Sequence, residues 1–125
     1  MDIEDVRRFC LSLPHATEGV QWDNDLLFRV GDKMFACVGL ERTPTNVSLK
    51  VAPEKFDELV EREDVTPAPY LARYKWVMLN RLDALEADEL KRLLQESYEL
   101  VLAGLPKKTR TQLGAGGAEA RGVGE

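Results

Sequence analysis

A single histidine, His15, and two cysteines, Cys10 and Cys37, have the widest catalytic repertoire in this sequence. A thiol activated by an imidazole is the smallest nucleophilic pair they could form, and it requires the two side chains to meet. Cys10 stands one turn ahead of His15 but falls on the apolar stripe of a predicted helix, so it reads as a packing residue. His15 follows Pro14 and reads as a loop residue. One histidine also rules out a multi-histidine metal centre. Asp23-Asn24-Asp25 concentrates oxygen ligands as a calcium loop does, but it lacks that loop's glycine and distal glutamate. Asx hydrogen bonding in a turn accounts for it. No glycine-rich phosphate cradle, nucleophile-elbow serine or paired CxxC occurs. No catalytic residue, metal or cofactor is expected, and the chain reads as non-enzymatic.

What remains is charge. The formal net charge is -5 at pH 7, but it is unevenly spread. Residues 1–25, 54–64 and 83–99 each hold six acids and two bases, whereas 65–82 and 100–118 each hold three bases and no acid. Acid follows the predicted helices; base follows the strands and the segment after the last helix. Arg29, Lys33, Lys50, Arg73, Lys75, Arg81, Lys107, Lys108 and Arg110 are the candidate contacts to a phosphate-bearing partner, with Trp22, Tyr74 and Trp76 as stacking surfaces. A plainer reading stands beside this one: Lys and Arg on exposed strand positions discourage edge pairing. Trp76 likewise suits a core anchor as well as a stacking platform. An acidic chain that binds DNA through such a set should bind weakly and with strong salt dependence.

The elements that must position these residues follow from spacing. Asp2 suits an N-cap, and Ile3, Val6, Phe9, Cys10 and Leu13 recur at helical intervals, predicting a helix over 3–13 that Pro14 ends. Residues 17–23 leave room for a short strand ending at Trp22. Residues 26–30 and 33–38 are β-rich runs joined by Gly31-Asp32, a hairpin. Residues 46–51 alternate cleanly, with Val47, Leu49 and Val51 inward. Pro53 opens a helix to about residue 63 that buries Phe56, Leu59 and Val60. Pro67 and Pro69 make 64–72 a turn, with one short helical turn around Tyr70 and Leu71. A strand follows over 75–80, then a helix over 86–103, about 27 Å long at helical rise, which Gly104 terminates. Ser97 falls on the apolar stripe of that helix, where its hydroxyl serves packing. Five of the nine glycines lie between 114 and 124, so 111–125 is expected to be a flexible Gly/Ala-rich tail behind a single domain over 1–110.

Together these elements predict an α+β fold: a two-layer α/β sandwich in which an antiparallel β-meander has its helices packed on one face and its other face open. The chain has 125 residues, 44% hydrophobic and 31% charged, with a mean hydropathy of -0.31. That suits one soluble domain and excludes wholesale disorder. No apolar run approaches the roughly 20 residues a bilayer demands. The acidic start Met1-Asp2-Ile3-Glu4-Asp5 lacks a signal-peptide pattern, and the two cysteines read as reduced, so a cytoplasmic location is expected.

The sequence resembles the MmcQ/YjbR family of small bacterial proteins. The resemblance runs through Cys10-Leu11-Ser12-Leu13-Pro14, Phe28-Arg29-Val30-Gly31-Asp32-Lys33-Met34-Phe35-Ala36 and Lys75-Trp76-Val77. It continues through Leu93-Leu94-Gln95-Glu96-Ser97-Tyr98 and Leu105-Pro106-Lys107-Lys108, covering about residues 1–110. It implies a CyaY-like (frataxin-related) sandwich and a "double wing" DNA-binding arrangement in which hairpins flank a helix. It brings no catalytic residues. Three functions are therefore expected in order: a non-enzymatic DNA-binding domain; a protein-interaction or small-ligand module docking on the open sheet face; and an acidic metal-binding surface around Asp2, Glu4 and Asp5.

Overall fold

The computed structural model describes residues 1–21, 24–41 and 43–113. Helix α1 (Ile3–Ser12) begins at a capping box: Asp5 N–H donates to the Asp2 carboxylate at 2.8 Å, and Asp2 N–H donates to the Asp5 carboxylate at 3.1 Å. Strands β1 (Thr17–Gln21), β2 (Asp25–Val30), β3 (Lys33–Gly39) and β4 (Asn46–Lys50) follow, then α2 (Pro53–Leu59), β5 (Val65–Pro67), a 3-10 turn at Ala72–Tyr74, β6 (Trp76–Leu79) and α3 (Ala87–Ala103). A last helix, α4, spans residues 107–113. Every strand pairing is antiparallel, in the order β1-β2-β3-β4-β6-β5.

The helices pack on one face, as the apolar stripes require. Val6 and Cys10 of α1, Leu59 of α2, and Leu90, Leu93, Leu94 and Tyr98 of α3 join one core with Phe28, Val38, Val47, Leu49, Val77 and Leu79 of the sheet. Between β2 and β3 the register slips: Phe28 pairs with Ala36 and Arg29 with Met34, leaving Phe35 as the extra residue of a bulge. Phe35 and Ala36 therefore both enter the core, while Met34 and Cys37 both turn to the opposite face. The β2–β3 turn has φ of 56° at Gly31 and 66° at Asp32, the left-handed pair that matches the twist of a two-residue hairpin.

Four expectations change. Residues 65–67 are a strand, not part of a turn; β5 pairs only with β6, and Pro67 is tolerated because this is the sheet edge. The sheet consequently departs from a simple meander, since β4 neighbours β6. Helix α2 stops at Leu59, with Val60 its C-cap and both Phe56 and Val60 only half-buried. A helix, α4, spans 107–113 where none was expected, and residues 114–125, most of the expected flexible tail, lie outside the described residues, as do Trp22 and Asp23.

Candidate functional site

Strand register decides where the candidate cations stand. Arg29 and Val30 close β2, Lys33 opens β3, Lys50 closes β4 and faces Trp76 at the start of β6, and the 3-10 turn holding Arg73 immediately precedes Lys75. All of these lie at one end of the sheet. The hairpin tip meets the chain leading into α4: a methyl group on Gly31 would stand 2.6 Å from Leu105 Cδ1 and 3.2 Å from Thr109 Cγ2. Lys107, Lys108 and Arg110 are thereby joined to the same end. Arg81 is not. It follows the far end of β6 and pairs with Asp64 at 3.3 Å and Asp83 at 3.2 Å.

Ion pairing sharpens this division. Arg7 binds Glu18 through two 2.7 Å bonds, Arg8 binds Asp5, Lys55 binds Glu96, and Arg62 binds Glu89. None of Arg29, Lys33, Lys50, Arg73, Lys75, Lys107, Lys108 and Arg110 makes an ion pair among the described residues. Lys33, Arg73, Lys107, Lys108 and Arg110 are exposed. Arg29 lies across β1, its guanidinium 3.5 Å from where a Gly19 side chain would begin. Two of the lysines are anchored. Lys50 Nζ donates to the Tyr74 carbonyl at 2.7 Å, and burial pulls its ammonium below the usual lysine range; Lys75 Nζ sits 4.9 Å from the Phe56 ring centre. Arg73 stacks on Tyr74 at 4.8 Å. Asp32, in the turn, and Glu99, which shares a surface hollow with Arg110, place acids at this end too.

The open sheet face is not the cationic surface expected. Pairing of Leu27 with Cys37, Cys37 with Ser48 and Ser48 with Met78 puts these four in one row on that face. It is largely apolar. Leu27 is 1% exposed and Trp76 6%, and both stand outside the helix-side core. The Trp76 ring is buried, so it is an anchor and offers no stacking platform, and its backbone is held by Trp76 N–H to Leu71 O and Ala68 N–H to Trp76 O. Among the described residues the exposed aromatics are Tyr74 and, at 98% exposure, Tyr70. Pro69, Tyr70 and Leu71 form one wall of a cavity of about 450 Å³ over the sheet, and Asp25, Asn46, Ser48 and Met78 line its floor. Sequence reasoning missed this cavity because its wall is a segment with no periodic pattern.

The metal-surface reading loses its ligands to other work. Asp2 and Asp5 cap α1, and Glu4 pairs with Arg7 at 3.3 Å. No group of three or more His, Cys, Asp or Glu that could hold an ion occurs among the described residues. Both thiols are held protonated by burial, Cys10 pushed up to about 12 and Cys37 to about 11, the latter also by the Asp25 charge. No helix among the described residues is long and apolar enough to cross a membrane.

A family model described as YjbR matches residues 11–100. Proteins named YjbR from Escherichia coli strains K12 and O157:H7 are each 28% identical over 115 residues, covering 90% of this chain and 98% of theirs. A crystal structure of a Deinococcus radiodurans protein with a DUF419 domain superposes with a TM-score of 0.80 at 33% identity, over 90% of this chain and 87% of that one. A Pseudomonas syringae protein superposes at 0.66 with 21% identity, over 80% of this chain and 98% of that one, a likeness of fold alone.

Proposed function

The chain belongs to the YjbR family, and we propose that it is a non-enzymatic DNA-binding domain that holds the phosphate backbone at the hairpin end of its sheet. One observation carries this reading: on the helical side Arg7, Arg8, Lys55 and Arg62 each pair with a neighbouring acid, leaving Lys91 and Arg92 of α3, whereas none of the eight cations gathered at the hairpin end makes an ion pair among the described residues. A net positive field at one end, where the cations outnumber Asp32 and Glu99, attracts a polyanion even when the whole molecule is acidic. Lys33, Arg73, Lys107, Lys108 and Arg110 reach solvent and make the phosphate contacts. Lys50 and Lys75 are tethered and contribute charge from behind. The β2–β3 hairpin serves as a wing beside α4. Such contacts position a backbone and carry no sequence information by themselves.

Fluorescence anisotropy with a labelled duplex at low salt tests the proposal. Lys107→Glu with Lys108→Glu, and Lys33→Glu alone, should each weaken binding and flatten the salt slope by about one for each phosphate released. Arg81→Glu, at the opposite end, should leave both unchanged. Equal losses from Arg81→Glu and Lys33→Glu, or no binding by the wild type, would overturn the reading.

A further inference from the structure

The cavity on the open face has the opposite electrical character to the hairpin end. Its about 450 Å³ falls in the range that houses a small organic ligand. Among the described residues, Asp25 is the one charged side chain in its lining, and none of them is a base. The Asp25 carboxylate and the Ser48 hydroxyl make no side-chain hydrogen bond or ion pair among the described residues. Asn46 is oriented, because its Oδ1 accepts Gly39 N–H at 3.3 Å; its amide N–H groups remain as donors. Asp25 and Asn46 flank Gly39 at one end of the strands, and Ser48 stands one row further in, paired with Met78. Away from that end, Met34, Met78 and Leu71 supply an apolar surface, and the unbranched thioethers adapt to the shape of what they cover.

Tyr70 adds a second, independent observation. It is 98% exposed and holds a left-handed backbone at φ 66°, a conformation unfavourable for a non-glycine residue. Burial of its own ring does not stabilise it there. Strain of this kind collects at binding walls and switches. Its ring is a large amphipathic surface at the mouth of the cavity, and an aromatic face attracts a cation.

We infer that this cavity binds a small cationic amphiphile, a protonated amine on an apolar body. The ammonium faces Asp25, and the hydrocarbon lies on Met34 and Met78 under the Tyr70 ring. An anionic head group meets the Asp25 carboxylate with no base among the described lining residues to offset it, so phosphates and carboxylates are rejected here while the hairpin end attracts them.

Three probes of equal chain length, octylammonium, octanol and octanoate, separate the contributions when titrated into the full chain and followed by amide shifts of Cys37, Ser48 and Met78. Octylammonium should bind at least tenfold tighter than octanoate. Asp25→Asn should erase that preference while retaining octanol. Tyr70→Ala, at an exposed position where folding is not at stake, should weaken all three at least threefold. The inference fails if octanoate binds as tightly as octylammonium, if the preference survives Asp25→Asn, if Tyr70→Ala changes nothing, or if no probe shifts these amides.

Discussion

The Ser97 hydroxyl, fully buried on α3, donates to the Phe35 carbonyl at 2.6 Å and accepts Lys50 N–H at 2.9 Å. Phe35 is the bulged residue of β3, so its carbonyl and the Lys50 amide across the β3–β4 seam are bridged by one oxygen from the helix above. The hydroxyl thus satisfies backbone groups one step beyond the last β3–β4 pair, Ala36 with Leu49. It works between strands rather than on its own helix, where a mid-helix serine ordinarily bonds the preceding turn.

Ser97→Ala removes that bridge and leaves a buried donor and a buried acceptor without partners. The expected loss is roughly 2–4 kcal/mol of folding stability, measured by urea unfolding. Ser48→Ala, on the open face and without a hydrogen bond among the described residues, should stay within about 0.5 kcal/mol of wild type.

Gly31 and Gly19 make a contrasting pair. Gly31→Ala combines a left-handed backbone with a methyl group driven to 2.6 Å from Leu105 Cδ1. Leu105 must shift, and a loss of roughly 1–3 kcal/mol is expected. A Gly19 methyl would meet only Arg29 Nη1 at 3.5 Å, so Gly19→Ala should be neutral or slightly stabilising when both variants are compared by urea unfolding.

Acid should loosen the contact between α1 and β1. Hydrogen bonding to Arg7 lowers the Glu18 pKa below the ordinary 4.5. A lowered carboxylate stabilises the fold fully above its unfolded value and loses that contribution as pH falls through the folded one. Glu18→Gln should therefore be less stable than wild type at pH 7, and the gap should narrow steadily below about pH 4.5 in paired melts.

The two thiols should be slow toward iodoacetamide at neutral pH, because the thiolate is the reactive form. Cys37, half-buried beside the cavity, should label progressively faster as pH rises toward about 11. Cys10, with no exposure and a pKa pushed to about 12, should label only after denaturation. Mass spectrometry of the alkylated chain distinguishes them.

Much of the fold is legible along the chain because its signals are local. Asp2 followed three residues later by Asp5 starts α1; Gly31-Asp32 between two apolar runs makes the hairpin; alternation over 46–50 lays β4 on the core. The misses share a cause. β5 is three residues long, ends in Pro67, and exists because β6 offers it an edge. Helix α4 has few apolar residues of its own and settles where Leu105 is buried and Thr109 reaches the hairpin tip.

The candidate site divides the same way. Segregation of acid onto helices and base onto strands is written in residue order alone, as is the alternation that says which side chains share a sheet face. Residue order does not say at which end of the sheet a cation stands, nor whether an acid waits across the gap. Lys50 comes beside Trp76, and Arg7 meets Glu18, through pairings between separate elements. Coulomb attraction falls with spatial distance, so three-dimensional placement alone separates a neutralised arginine such as Arg62 from Lys33, which has no ion pair among the described residues.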